Sequence, residues 1–265
     1  MSTATDRIVT SSAGVAPARS GVWARRGPPG WVGLAMALVL GLGACAESVE
    51  SENVFTDGMY ADLEARATET GTQVSATLRV GGATSNTYVM LGGGDRLRVS
   101  AGSESVTLAT QSTGDVYRYV ATLDTNEGGT EVIFDFQRDL DDGAPDSHCT
   151  LPAASDITAP SDGQVIRRAD DDLVITWDLS AGPDDRLRLD VLGPCFIDLS
   201  ETLDSAAGSY LIPAGTIESR NDPPAACSAT VRLTSESSGS LDPGFGEGGR
   251  VLCRQEREVS IRLDP

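Results

Sequence analysis

The stretch that decides the fold is LVITWD at residues 173–178, where large apolar side chains occupy every second position. Outward from it, the same alternation returns at residues 187–191, 229–233 and 259–263. A period of two is typical of a half-buried β-strand, because successive side chains point to opposite faces of a sheet. Four such runs predict two sheets packed over one core.

The segment before this stretch is Ile-Thr-Ala-Pro at residues 157–160, and a glycine turn follows at Gly163. Together with Ile-Thr-Trp at residues 175–177, this order resembles the opening of immunoglobulin-like modules in surface-exposed proteins. The whole chain resembles a group of uncharacterised bacterial lipoproteins that share the loop GSLDPGFG, here residues 239–246. The resemblance implies an immunoglobulin-like sandwich and brings no activity with it.

Two features of this region bear on function. Trp177 is the only tryptophan after residue 44, and its place on the apolar face predicts a core residue rather than a platform for a sugar. The loop at residues 235–249 is long and glycine-rich and carries Phe245 in a polar setting. Loops of this length are often functional or disordered. It is the best candidate for a contact surface, and a flexible connection is the alternative.

A second set of alternating runs lies earlier in the chain and predicts another sandwich. The turn at residues 69–72 can close the runs at 59–65 and 74–80 into a hairpin. Glycine turns separate five further runs, at residues 87–91, 96–100, 106–109, 117–123 and 131–137. Seven strands at this spacing predict an antiparallel sandwich.

The fold class that follows is all-β, with two tandem β-sandwich domains of immunoglobulin-like type after a signal peptide. We expect a short tether at residues 45–54 and the first β-sandwich domain at 55–140. An interdomain linker is expected at 141–153, and the immunoglobulin-like domain at 154–265.

Residues 1–44 have the composition of an export signal, so they are set apart from the fold. Arginines at positions 19, 25 and 26 precede an uncharged apolar run at residues 31–44. This run is shorter than the roughly 20 residues that a membrane-spanning helix needs. A cleaved signal peptide is therefore expected, with a persistent transmembrane anchor as the alternative.

The apolar run ends in Leu42-Gly43-Ala44-Cys45, which resembles the lipobox of bacterial lipoproteins. The resemblance implies that signal peptidase recognises Leu42, Gly43 and Ala44, and that Cys45 becomes the acylated amino terminus. Each buried CH₂ of an acyl chain contributes ~0.8 kcal/mol, so two or three chains anchor a protein durably. Because Ala46 is not aspartate, the sorting rule of that family implies the outer membrane in a cell envelope with two membranes. A secreted protein that is cleaved near Cys45 is the alternative.

The charge of the mature chain limits its partners. After residue 44 there are 16 arginines, no lysine and 38 acidic residues, which gives a formal charge of −22. Nucleic acid is excluded as a partner, because its affinity comes from basic groups that neutralise phosphates. Adsorption to anionic lipid is disfavoured for the same reason. Attachment to the membrane is therefore expected through the lipid on Cys45 alone.

Four cysteines remain after Cys45, namely Cys149, Cys195, Cys227 and Cys253. An even number in an exported chain predicts two disulfides, for which three pairings exist. Zinc is the alternative, although there is no Cys-x-x-Cys pair and only one histidine. The immunoglobulin-like strand order implies Cys195–Cys227, since its third and sixth strands are antiparallel neighbours. It also implies Cys149–Cys253, through the opening and closing strands.

No residues in the sequence predict a catalytic, metal or cofactor site. His148 is the only histidine, and its neighbour Cys149 points to the opposite side of an extended chain, so the two do not form a nucleophile and base. The carboxylates of Asp139, Asp141 and Asp142 do not have EF-hand spacing. We therefore predict a non-enzymatic binding or scaffolding lipoprotein, with an unidentified protein or glycan partner. The alternative is a calcium- or carbohydrate-binding accessory module of the envelope.

Overall fold

The computed structural model describes residues 46–178, 182, 185–204 and 206–265. The predicted lipobox at residues 42–45 and the predicted signal peptide before it lie outside the described residues. The described residues form strands, turns and two short 3-10 helices, at Ser51–Asn53 and Thr56–Gly58, and contain no α-helix. In this part of the chain no helix is long and apolar enough to cross a membrane.

The strands are numbered β1 to β18 in chain order. The first ten are β1 (Glu47–Glu50), β2 (Met59–Thr68), β3 (Gly71–Val80), β4 (Thr87–Met90), β5 (Arg96–Ala101), β6 (Glu104–Thr107), β7 (Ala109–Thr113), β8 (Val116–Leu123), β9 (Glu131–Gln137) and β10 (Ala144–Thr150). The others are β11 (Ile157–Ala159), β12 (Val165–Arg167), β13 (Leu173–Trp177), β14 (Arg186–Leu192), β15 (Leu199–Leu203), β16 (Ser209–Ile212), β17 (Cys227–Ser238) and β18 (Gly249–Asp264).

Three sheets contain these strands. The long sheet has 11 strands, with the main order β1-β4-β3-β2-β18-β17-β14-β15; β8 pairs with β3 and β7, and β12 with β18. A four-stranded sheet has the order β10-β9-β5-β6, and a three-stranded sheet has the order β11-β13-β16. Both small sheets cover the same face of the long one. The side chains of β18 that enter the two cores all belong to odd-numbered residues, from Val251 to Leu263, and odd-numbered residues of one strand share a face.

The central feature of the fold is β18, which belongs to both sandwiches. Its residues 249–255 pair in parallel with β2, and the strand is antiparallel to β17 from Leu252 to Leu263. Its end, at residues 262–264, pairs in parallel with β12. At the rise of about 3.3 Å per residue typical of strands, its 16 residues extend for roughly 50 Å. One strand therefore links the two halves of the molecule.

The first sandwich packs the four-stranded sheet against the β1–β4, β7, β8 and early β18 part of the long sheet. Odd residues of β2, from Met59 to Ala67, are completely buried, while the even residues are not. Phe134 and Phe136 of β9 and Tyr119 of β8 are the large side chains of this core. All three side chains are 1% exposed. The predicted hairpin turn between β2 and β3 is confirmed.

The second sandwich has its own core and the strand order of an immunoglobulin-like fold. Strands β11, β13 and β16 form one sheet, which packs against β12, β14, β15, β17 and late β18. Strands β14 and β17, the third and sixth in that order, are antiparallel neighbours as predicted. Trp177 is 4% exposed and lies in this core, which confirms its predicted role.

Three expected irregular segments are ordered in the structure. The tether expected at residues 45–54 contains β1, which pairs with β4 from its first residue. The linker expected at 141–153 contains β10, which pairs with β9 and so completes the four-stranded sheet. Its alternation was hidden from sequence reading by Pro145 and Asp146, at the position of a register shift in the strand.

The loop expected as a contact surface is instead part of the first core. Phe245 is 3% exposed, and its ring stacks on that of Phe136 with centroids 5.9 Å apart. The backbones of His148 and Ser240 exchange two hydrogen bonds of 2.8 Å, which tie the loop to β10. Gly246 is required where the loop passes the backbone of Asp57, since a Cβ atom would lie 2.4 Å from its carbonyl oxygen. The expectation that Phe245 is presented on a contact surface was therefore wrong.

Both predicted disulfides are present. Cys195 and Cys227 have Cα atoms 5.9 Å apart, and their bond joins the segment just after β14 to the first residue of β17. Cys149 and Cys253 have Cα atoms 5.7 Å apart. The reason given for the second pair was wrong, because Cys149 lies in β10 of the first sandwich. This bond joins the two sheets of the first sandwich instead of the entrance and exit of the second.

Candidate functional site: the outer face of the long sheet

The outer face of the long sheet carries a row of arginines. Alternation along each strand turns the even residues of β2, β8, β14, β17 and β18 away from the cores. We call the following six residues the arginine band: Arg66, Arg118, Arg186, Arg188, Arg232 and Arg254. They account for six of the 16 arginines that follow residue 44.

The band lines two hollows that meet at Arg66. One has a volume of about 610 Å³ and lies over β2, β3 and β8, with Arg118, Gln73 and Thr122 in its wall. The other has a volume of about 300 Å³ and lies over β14, β17 and β18. Since Arg66 lines both, the hollows adjoin each other on this face of the sheet, and we call them together the trough.

The middle of the trough is a ladder of ion pairs. The guanidinium of Arg254 lies 2.7 Å from a carboxylate oxygen of Glu64 and 2.8 Å from one of Glu236. Arg66 lies 2.9 Å from Glu64 and 3.5 Å from Glu256. Arg254 thus links carboxylates of the two strands beside β18, and Arg66 links one carboxylate of its own strand to one of β18.

The electrostatics of Glu64 follow from this ladder. Burial alone would raise the pKa of its carboxyl group, but hydrogen bonds from Arg66 and the charge of Arg254 outweigh burial and lower the pKa. The pKa of the Arg66 guanidinium is raised. Burial alone would lower this pKa, but the hydrogen bond to Glu64 and the charge of Glu256 outweigh burial. Both pKa shifts favour the ionised forms of Glu64 and Arg66.

The two ends of the band differ from its middle. Arg118 donates a hydrogen bond of 2.7 Å to the Ser75 hydroxyl, and Arg186 is exposed on β14. Among the described residues, neither has a carboxylate within 4.0 Å. Five strand spacings separate β8 from β14, which places these ends roughly 24 Å apart.

The trough carries a local charge opposite to that of the chain. Its walls hold the six arginines of the band and four carboxylates, those of Glu64, Asp190, Glu236 and Glu256. Arg232 is also paired with Glu258 beside the trough, so one positive charge is in excess, whereas the residues after position 44 have a formal charge of −22. A broad, shallow surface of this kind can hold an extended ligand but does not enclose a small substrate.

The residues singled out from the sequence do not come together in this trough. The lipobox, with Cys45, lies outside the described residues. The other four cysteines form the two disulfides, so the Cys149 sulfur is bonded to Cys253 and is not a free thiol. His148 lies on β10, where its Nδ1 atom is 3.0 Å from the Asp146 carbonyl oxygen. No serine or threonine hydroxyl in the described part of the chain hydrogen-bonds to its ring.

One carboxylate of the acidic segment at residues 139–142, that of Asp141, is paired with Arg138. Asp141 Oδ2 lies 2.9 Å from Arg138 Nη1 and accepts a hydrogen bond of 2.8 Å from the backbone N–H of Thr56. That bond and the nearby Arg138 charge lower the pKa of Asp141 despite the small opposing effect of burial. In the described residues, no group of three or more His, Cys, Asp or Glu side chains is placed to hold a metal ion.

Comparisons with known proteins give no family for the chain. No protein-family model and no curated protein matches it. It is similar to the FN1-FN3 domains of chicken CNTN1, with 15% identity, a TM-score of 0.22, and coverage of 77% of this chain and 64% of that one. It is also similar to the adhesin InvE of Yersinia pseudotuberculosis, with 13% identity, a TM-score of 0.21, and coverage of 77% of this chain and 59% of that one.

A third similarity is to the IG1+IG2 region of DIP-gamma, with 9% identity, a TM-score of 0.19, and coverage of 78% of this chain and 98% of that one. The chain spans less than two thirds of the first two structures. At TM-scores near 0.2, none of these similarities carries an argument about what this chain binds. The function must be argued from its own residues.

Sequence reasoning missed the arginine band. Its members were visible as the polar partners in alternating runs, for example Arg186 and Arg188 beside Leu187 and Leu189. A chain without lysine that repeats arginine on one strand face carries a signal that could have been found. The order of the strands could not be read from the sequence. That order places β2, β18, β17 and β14 side by side and so brings their arginines together.

Proposed function

We propose that the protein is a lipid-anchored, non-catalytic binding or scaffolding protein of the bacterial cell envelope, and that the arginine band is its binding surface. The observation that carries the proposal is the trough across the long sheet, with its excess of positive charge on an acidic chain. The lipobox at residues 42–45 supports the anchor.

The band favours an extended anionic ligand, such as a polymer that carries carboxylates at intervals. Arg118 and Arg186 present guanidinium groups at the two ends, and guanidinium binds carboxylate through two parallel hydrogen bonds. Between these two ends, the N–H groups of Arg66 and Arg254 that are not used in the ion pairs can donate hydrogen bonds to the same polymer. Complementary charge over a surface of this size contributes mainly to specificity and to the rate of association.

Calcium has no comparable support as a ligand. At residues 139–142, the segment considered for it, the Arg138 guanidinium already pairs with Asp141. A second cation there would face the repulsion of the first.

The anchor is tested by mass spectrometry of the protein purified from bacterial membranes. The mature chain should begin at Cys45 and carry acyl chains, and Cys45→Ala should remain unacylated and be released from the membrane. An unmodified amino terminus at another residue would refute the anchor.

The binding surface is tested by affinity electrophoresis in native gels that contain polygalacturonate, an acidic polysaccharide. The wild type should be retarded, whereas the double variant Arg118→Ser/Arg186→Ser should migrate faster. Arg96→Ser/Arg98→Ser on the four-stranded sheet removes the same charge from another surface and serves as the matched control. Equal retardation of both double variants, or no retardation of the wild type, would refute the role of the band for this class of ligand.

A further inference from the structure

The described chain enters the molecule at one end of the first sandwich, which we call the base. β1 begins at Glu47 and pairs there with Thr87, the first residue of β4. Because β4 is antiparallel to β3 and β3 to β2, the start of β1 lies at the same end of the sheet as the start of β2. The loop at residues 138–143 closes this end of the four-stranded sheet, where β9 ends and β10 starts.

In the described residues of the first sandwich, the exposed large apolar side chains all lie at the base. Phe55, just before β2, is 73% exposed, and Leu140 is 75% exposed. Val116, 38% exposed, follows the β7–β8 turn, where Asp115 accepts a hydrogen bond of 3.0 Å from Ser48 of β1. Scattered exposed apolar residues are ordinary. These three, however, all lie at the end of the sandwich where the described chain begins.

The base presents these side chains on a fixed support. The Arg138 side chain is only 1% exposed, and its Nη1 donates to the Val54 carbonyl at 2.9 Å and to the Thr56 hydroxyl at 3.0 Å. These two residues flank Phe55. The same nitrogen bonds to Asp141, which follows Leu140. Phe55 and Leu140 are thus held outward by one buried guanidinium.

The chain leaves little slack between the base and the lipobox. Only Ala46 separates Cys45 from Glu47, the first residue of β1. Each residue spans at most about 3.6 Å, so the chain length between positions 45 and 47 allows a tether of at most roughly 7 Å.

We propose that the base sits on the bilayer that holds the acyl chains, with Phe55, Val116 and Leu140 at the boundary between headgroups and hydrocarbon. The proposal rests on the proposed acylation of Cys45. Once the acyl chains hold the base at the surface, the apolar side chains can leave water without a separate association step. The arginine band then has a fixed orientation relative to the membrane, because β2 and β18 both run away from the base.

The charge at the base selects the kind of lipid surface. Glu47, Glu52, Asp57 and Asp142 are exposed or partly exposed there, and they would be repelled by anionic headgroups. The base is therefore suited to a bilayer surface that carries little negative charge. We expect the contact to weaken when anionic lipid is added.

Tryptophan fluorescence of the full-length acylated protein tests the contact. Phe55→Trp and Leu140→Trp are compared with Val174→Trp, which places the same reporter at a 46% exposed position on the second sandwich. Each variant is reconstituted in phosphatidylcholine vesicles, with or without bromine atoms on the acyl chains as quenchers. The native Trp177, buried in the second core, gives the same background in all three.

We expect brominated lipid to quench the added emission in Phe55→Trp and Leu140→Trp and to leave Val174→Trp unchanged. Replacing half of the phosphatidylcholine with phosphatidylglycerol should reduce the quenching. Equal, weak quenching in all three variants, with acyl chains verified by mass spectrometry, would overturn the contact while leaving the anchor intact. An amino terminus without acyl chains would refute the anchor and the contact together. Protection from quenching only when a second envelope protein is present would assign the base to a protein partner instead.

Discussion

Removal of the Arg138 guanidinium should destabilise the first sandwich more than any other single change of a charged residue at the base. Its three nitrogens donate to Asp95, Asp141, the Thr56 hydroxyl and the backbone carbonyls of Ser51 and Val54, at distances from 2.6 to 3.0 Å. The side chains of Arg138 and Asp95 are 1% and 2% exposed. The variant Arg138→Ala therefore removes this donor from two carboxylates and two carbonyls.

The magnitude follows from the burial of Asp95. Removal of one partner of a buried ion pair costs about 3–5 kcal/mol, since the other charge stays buried without compensation. Asp95 keeps one hydrogen bond of 3.1 Å, from the backbone N–H of Asp139. We therefore expect a loss near the lower end, about 3 kcal/mol of the free energy of unfolding.

Urea unfolding monitored by far-ultraviolet circular dichroism measures this loss. The matched control is Arg96→Ala, an exposed arginine of the same sheet that bonds only to Gln137, and it should change stability by less than about 0.5 kcal/mol. The double variant Arg138→Ala/Asp95→Ala should lose less than the sum of the two single variants, because it removes the unpaired charge. A loss below about 1 kcal/mol in Arg138→Ala, or additivity in the cycle, would show that the pair does not stabilise the base.

Three further outcomes are expected. The Tyr119 hydroxyl donates to the Val89 carbonyl and accepts from the Leu91 N–H, so Tyr119→Phe should cost about 1–3 kcal/mol. Burial raises the pKa of Tyr119 to about 12, so the stability it contributes is complete below the ordinary tyrosine pKa near 10 and is lost as pH rises toward 12. Absorbance at 295 nm during alkaline titration should show one late-titrating phenol that is missing from the variant. Because β18 belongs to both cores, urea transitions followed by Trp177 fluorescence and by circular dichroism should coincide; two separate midpoints would show that the halves unfold independently. Removal of the Cys195–Cys227 disulfide, which closes a 32-residue separation, should cost about 4 kcal/mol in the chain-entropy model, and a loss below about 1 kcal/mol would contradict that estimate.

Local pattern was sufficient to predict most of the strands. Period-two runs such as 74–80 and 229–233 became β3 and β17, because one face of each is buried and the alternation is therefore strict. The disulfide of Cys195 with Cys227 was predictable for a related reason. It depends on the neighbours β14 and β17, and both were recognisable in the sequence.

Long-range pairing accounts for what the sequence did not reveal. The first half of β18 carries polar residues on one face and pairs with β2, a strand about 190 positions earlier, and no local signal marks that parallel contact. The expectation for Phe245 was wrong for the same reason. Its neighbours in sequence are polar, and its contact with the Phe136 ring is between positions far apart in the chain. The arginine band shares this origin, since its members lie on strands that are distant in sequence.

The place of β18 in the chain has a consequence for biogenesis. Chains are synthesised from the amino terminus onward, so β2 to β10 are made well before Phe245, Val251 and Cys253, which complete the core around them. Until then, one edge of β2 has no partner, and an open strand edge invites aggregation. The first sandwich therefore stays incomplete until β18 has been made and closes it.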